Sequence, residues 1–146
     1  MRPRATPIGL QLARTSKAVG RAFNDALAEA RGSLPVWLIL STLRGEAYAS
    51  QQDLARGIGI EGPTLTRHLD QLEAAGLVRR LPSPDDRRAL VVEPTEAGLE
   101  LHARLLDVVI AFNRSLTAGL SQDELEALRR SLGVLEANVR RPGRKP

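Results

Sequence analysis

The chain has 146 residues, enough for one domain with a modest core. Hydrophobic residues make up 42% of it and aromatic residues only 3%, so the core must be built from Leu, Val, Ile and Ala, a composition that favours helices over a β-sandwich. There is no cysteine, which excludes a disulfide framework, a thiolate metal site and a thiol redox sensor. The formal charge of +4 is a weak pointer to nucleic acid, because it is concentrated at the ends. Arg2, Arg4, Arg14, Lys17 and Arg21 at one end and Arg140, Arg141, Arg144 and Lys145 at the other leave the remainder net acidic by five. The start, MRPRATP, is not followed by an apolar stretch, and no run approaches the roughly 18 apolar residues of a membrane span. A soluble, cytoplasmic protein with no membrane partner is expected. A Gly-x-Ser-x-Gly elbow, a P-loop, a metal-ligand cluster and a histidine beside a nucleophile are all missing from the sequence, so an enzyme is not expected, nor any cofactor.

Leu12, Val19, Phe23, Ala26, Leu27 and Ala30 recur at helical spacing across residues 8–30, with Gly32 as the stop. Ser33 and Pro35 open a second helix through the apolar run Val36 to Leu43, and Gly45 ends it. Tyr48 and Ala49 are read as a very short strand. Ser50 and Asp53 form a capping pattern for a third helix from Gln51 to about Arg56 that buries Leu54 and Ala55, after which Gly57 and Gly59 allow a sharp turn. Gly62 and Pro63 open a fourth helix whose stripe of Leu65, Leu69 and Leu72 faces inward, with Gly76 as its terminator. Two helices across a short glycine-bearing turn make a helix-turn-helix.

Leu77 to Leu81 and Ala89 to Glu93 flank the turn sequence PSPDDRR and predict a β-hairpin with a projecting loop, the second strand ending at Pro94. Thr95 caps a long helix carrying Leu99, Leu105, Leu106, Val109, Ile110, Phe112 and Leu116, broken at Gly119. Ser121 and Glu124 form a capping box before Leu125, Leu128, Leu132, Leu135 and Val139. The fold class expected is therefore mainly α with a small β-hairpin wing. Residues 33–93 form a winged helix-turn-helix lobe, residues 8–31 and 95–139 are flanking helices, and residues 140–146 are a basic tail whose Pro and Gly content predicts disorder.

On the fourth helix, at roughly 100° per residue, the leucine stripe leaves Pro63, Arg67, Asp70 and Gln71 pointing outward, flanked by Thr64, Thr66 and His68. A helix so arranged can lie in a DNA major groove, N-terminal end toward the base edges. Arg67 could donate two hydrogen bonds to guanine O6 and N7, Gln71 could pair with adenine, and Thr64 or Thr66 could reach a base or a phosphate. The competing reading for Arg67 is an i,i+3 ion pair with Asp70 on a solvated face. His68 lies at the edge of the stripe and can pack there or touch DNA. With only one other histidine, His102, on a different helix, a metal role is not supported. At the hairpin tip, Arg87 and Arg88 can enter a narrow minor groove, with Asp86 placed to steady a guanidinium.

The run from Thr64 to Arg80, TLTRHLDQLEAAGLVRR, followed by Asp86 and Arg88 and then by Val92, Thr95 and Gly98, resembles the multiple antibiotic resistance regulator (MarR) family of winged-helix transcription factors. One departure from that pattern is Pro94 in place of the usual Leu, expected to shorten the strand without altering the wing. The resemblance implies a homodimeric regulator, a repressor, whose first and last two helices interlock. The leucine row from Leu125 to Val139 supports this independently, since it exceeds what a small winged-helix core needs. A symmetric dimer predicts a pseudopalindromic duplex with half-sites about 10 bp apart. The resemblance also implies release by a small anionic aromatic ligand in a pocket that Arg14, Lys17, Trp37 and His102 would line. The rival is a winged helix that binds protein or acts as a ligand-independent architectural DNA-binding module.

Overall fold

The computed structural model describes residues 6–45 and 50–140, so the strand expected at Tyr48 and Ala49, and the tail beyond Arg140, lie outside the described residues. The elements run α1 (Ile8–Glu29), α2 (Leu34–Gly45), α3 (Gln51–Ile58), α4 (Gly62–Ala74), β1 (Val78–Pro82), β2 (Leu90–Pro94), α5 (Glu96–Leu116) and α6 (Gln122–Arg140). The chain divides into two compact units, residues 1–110 and 111–146.

The first unit is built around one apolar core. Leu27 of α1, Ile39 and Leu40 of α2, Leu54 and Ala55 of α3, Leu65, Leu69 and Leu72 of α4, Val78 and Val92 of the hairpin, and Leu101 and Leu105 of α5 are all buried in it. Each enclosed leucine contributes about 1.5–3 kcal/mol relative to an exposed one. Three of them, spaced i, i+4 and i+7 on α4, fix which face of that helix points inward and therefore which face is left outside. Leu27, Leu101 and Leu105 show that the flanking helices share the core of the winged-helix lobe.

Helix ends are set by local chemistry. Ser50 caps α3 by accepting from the Asp53 backbone N–H at 3.1 Å, as its sequence pattern predicts. The helix runs to Ile58, so Gly57 is helical and only Gly59, at φ 77°, makes the turn. At the end of α4, Gly76 (φ 72°) lets Leu77 donate to the Leu72 carbonyl and its own N–H to that of Glu73, the paired closure that a left-handed residue permits. The end of α1 makes the same two bonds, Gly32 to Leu27 and Arg31 to Ala28, with Arg31 rather than a glycine at φ 63°. Gly32 serves a different need: a Cβ there would run into the buried Leu105 side chain.

The hairpin is antiparallel, with Val78 opposite Pro94 and Arg80 opposite Val92. Both strands lie one residue later than the sequence suggests, and Pro94 is the last residue of β2 rather than its stop, so the strand is not shortened. Pro is tolerated because each strand of a two-stranded sheet is an edge. Thr95 ties the hairpin to the helices: its hydroxyl donates to the Gly76 carbonyl at 2.6 Å and accepts from the Gly98 N–H at 3.1 Å.

In the second unit, Gly119 (φ 87°) turns the chain and the Ser121–Glu124 capping box forms as expected. Ser121 N–H donates to Glu124 Oε2 at 2.7 Å, and Glu124 N–H donates to Ser121 Oγ at 3.2 Å. These hydrogen bonds hold the Glu124 carboxyl below its ordinary pKa. No residue of α6 is buried: Leu125 and Leu135 are half-buried, while Leu128, Leu132 and Val139 are exposed.

Candidate nucleic-acid interface

α3, the turn through Gly59 and α4 form the helix-turn-helix. On α4 the three leucines point inward, and Pro63, Arg67, Asp70 and Gln71 are exposed, while Thr64, Thr66 and His68 are half-buried on the flanks. This is the disposition that the helical spacing predicts. Glu61 is the N-cap residue without a side-chain cap bond, and Pro63 sits in the first turn, where its missing N–H costs nothing.

Asp70 does not pair with Arg67. Its Oδ1 accepts from Arg80 Nη2 at 2.6 Å, and among the described residues no ion pair involves Arg67. Arg80 also donates to Glu73 Oε2 from Nη2 at 2.6 Å and from Nε at 3.0 Å, while its backbone N–H donates to Glu73 Oε1 at 3.1 Å. The hydrogen bonds from the Arg80 guanidinium and then from its backbone N–H hold the Glu73 carboxyl below its usual 4.5, and the same partnership raises the Arg80 pKa further. β1 is thereby pinned to α4 through a largely covered guanidinium.

Thr66 is engaged within the protein. Its hydroxyl donates to the Gly62 carbonyl at 3.0 Å and accepts from the Gln51 side-chain amide at 2.7 Å, so it joins α4 to α3. Gln51 has a second neighbourhood, a recess of about 420 Å³ that it lines with Ser50, Gln52, Asp86, Arg88, Ala89 and Leu90. One side chain therefore lies beside both the first half of α4 and the wing.

In the wing, Asp86 Oδ1 accepts from the backbone N–H of Arg88 at 2.9 Å, not from its guanidinium, and Ala89 N–H donates to the Asp86 carbonyl at 3.0 Å. The expected steadying of a guanidinium is replaced by an Asx turn, because a carboxylate two residues before an N–H reaches it more directly than it reaches a long side chain. Ser83, buried, accepts from Asp85 N–H. Arg87 and Arg88 stay exposed, and among the described residues neither forms an ion pair. Lower in the hairpin, Arg79 pairs across the strands with Glu93 at 3.3 Å.

Of the residues expected to line a ligand pocket, two meet. Trp37 and His102 stack with ring centroids 4.9 Å apart and planes 14° from parallel. His102 is 5% exposed, with Nε2 3.3 Å from Ser41 Oγ and Nδ1 3.5 Å from Arg44 Nη1. A guanidinium can only donate, so Nδ1 is the acceptor and Nε2–H donates to Ser41. Burial, and then the Arg44 charge, push the His102 pKa below 6.5. Arg14 and Lys17 are exposed on α1, and the other walls of the recess that Arg14 lines are Thr6, Gln11 and Thr15. Sequence reading missed Arg44, Ser41, Gln51 and Arg80. Arg80 was within reach of it, since Asp70 and Glu73 share one flank of α4 at i,i+3 and a basic residue follows the turn. Among the described residues no three His, Asp or Glu side chains gather to hold a metal ion, and no helix is long and apolar enough to cross a membrane.

Residues 33–90 match the model of the MarR family. Over 131 residues the chain is 33% identical to the HTH-type transcriptional regulator PecS of Dickeya dadantii (strain 3937), covering 88% of this chain and 79% of that protein. The transcriptional repressor CouR, solved bound to a 23-mer DNA duplex, superposes with a TM-score of 0.81 at 28% identity, over 89% of this chain and 92% of that one. A mutant MarR from E. coli, solved with operator DNA, gives 0.79 at 25% identity, over 88% and 93%.

Proposed function

Since the chain belongs to the MarR family of transcriptional regulators, we propose that it is a homodimeric, sequence-specific reader of double-stranded DNA that represses transcription in the cytoplasm. α4 enters the major groove with Pro63, Thr64, Arg67 and Gln71 toward the base edges, and Arg87 and Arg88 of the wing reach the neighbouring minor groove. The observation that carries this reading is the position of Gln51, hydrogen-bonded to Thr66 of α4 and lining a recess with Arg88, so that the first half of α4 and the wing share one neighbour. Arg67, with Asp70 drawn off to Arg80, is available to a guanine. Thr66 acts through the α3–α4 junction, and His68 flanks the groove face. That the CouR and MarR structures were solved with a DNA duplex and with operator DNA supports DNA binding by this chain.

The dimer is supported by exposed apolar helix surface that a single copy leaves uncovered: Ile8, Leu10 and Leu12 on α1, and Leu128, Leu132 and Val139 on α6. Effector release is supported by the Trp37–His102 stack with the Arg44 guanidinium beside it, a cation next to an aromatic surface, which suits a small anionic aromatic ligand. Arg14 and Lys17 add positive charge to α1. Random-sequence duplex selection by the purified protein tests the reading, and a pseudopalindrome with half-sites about one turn, 10 bp, apart is the expected result. Recovery of no enriched sequence at low salt would contradict it.

A further inference from the structure

We infer that Arg80 is a positioning residue for DNA recognition, setting the wing against α4 and offsetting one of the two negative charges that Asp70 and Glu73 place on the recognition helix. The inference rests on the DNA-reading function proposed above. Arg80 is the one described residue of the hairpin whose backbone and side chain both bond to α4: its N–H meets Glu73 Oε1, and its guanidinium spans Glu73 Oε2 and Asp70 Oδ1. Its side chain is 18% exposed while those of Asp70 and Glu73 are 59% and 39% exposed, so the cation is the covered member and the acids lie at the surface. A planar fork held by two carboxylates and a main-chain bond fixes direction as well as distance.

The other join between these elements, through Gly76, Leu77 and Thr95, lies at the base of the hairpin. Arg80 lies farther along β1, nearer the tip that carries Arg87 and Arg88. On α4, Asp70 stands about 60° around the helix from Arg67 by the 100° rule, close to the groove-facing direction. Left unpaired it would pair with Arg67 at i,i+3 and repel phosphate. Arg80 engages Asp70 in place of Arg67 and halves the negative charge of the Asp70–Glu73 pair, and Arg67 and Gln71 keep the groove face.

Two substitutions separate geometry from charge. Arg80→Lys keeps the charge but loses the fork, whereas Arg80→Gln loses both. With a duplex recovered by selection with the wild-type protein, and a scrambled duplex of equal length, Arg80→Lys should weaken specific binding about tenfold or more, the loss expected of one misplaced bidentate contact. Its non-specific affinity and salt slope should stay near wild type. Arg80→Gln should lower non-specific affinity as well. Footprints of both variants should lose wing protection before α4 protection, and amide exchange in the free proteins should quicken at Ser83, Arg88 and Ala89 ahead of α4. Wild-type affinity, footprint and exchange in both variants would overturn the inference. So would a parallel loss of wing and α4 protection that tracks a fall in melting temperature, which marks a residue needed only for folding. Failure of the wild-type protein to select any duplex would instead remove the functional reading, and this inference with it.

Discussion

His102 shows how far residue-level reading reaches. The family resemblance groups it with Trp37 as a pocket residue, but the stacking of the two rings was not legible, since they lie on helices 65 positions apart and no periodicity relates them. That Arg44 and Ser41 lie against its ring nitrogens was not legible at all, because it depends on how α2 and α5 pack. The consequence is a pH dependence of stability with a definite sign. The folded-state pKa lies below 6.5, so as pH falls through 6.5 the unfolded chain takes up a proton that the folded chain refuses. Stability therefore falls as pH drops from 6.5 toward the folded value and is retained above 6.5. Thermal unfolding across that range should show the decline in the wild type and a flatter profile in His102→Gln. An unchanged slope in the variant would assign the decline to other groups.

Among elements, helices whose ends carry their own chemistry were legible: Ser50 with Asp53, Ser121 with Glu124, and Gly76 each did in the structure what their spacing requires. The roles of other glycines do not follow from spacing alone. Gly57 is an ordinary helical residue, and Gly32 is needed for closeness to Leu105 while Arg31 takes the left-handed conformation. Gly98 is the sharpest case, since a Cβ on α5 there would collide with the Leu77 backbone carbonyl at the start of the hairpin. Backbone cannot yield as a side-chain tip can, so Gly98→Ala should cost about 1–3 kcal/mol in denaturant unfolding. Gly20→Ala, with open space around its Cβ position, is the control and should not destabilise. A neutral Gly98→Ala would show that α5 is free to slide away from β1.

For the whole molecule, the fold class was legible because the leucine stripe of α4 specifies a buried face and two apolar stretches around the turn sequence PSPDDRR specify a hairpin, and Leu65, Leu69, Leu72, Val78 and Val92 meet in one core. The boundary between lobe and flanking helices was less so, since Leu27, Leu101 and Leu105 belong to the shared core rather than to a separate region. Exposed leucines on α6 then have one economical explanation at this scale, association with a second copy through an interface of about 800 Å² per partner. Sedimentation should give a dimer for the wild type, and Leu128→Glu with Leu132→Glu should shift it to monomer while helix content persists. A wild-type monomer at micromolar concentration would contradict that assembly.

The central claim is that the outward face of α4 reads bases and the wing grips backbone in the adjacent minor groove. It is tested most directly by measuring base preference and salt dependence together for wild type, Arg67→Ala and Arg88→Ala on the selected duplex and its single-base variants. Arg67→Ala should relax discrimination at one position in each half-site by about 1–3 kcal/mol, and Arg88→Ala should weaken binding across sequences while reducing the salt slope by about one. Wild-type base preference and salt slope in both variants would contradict the account.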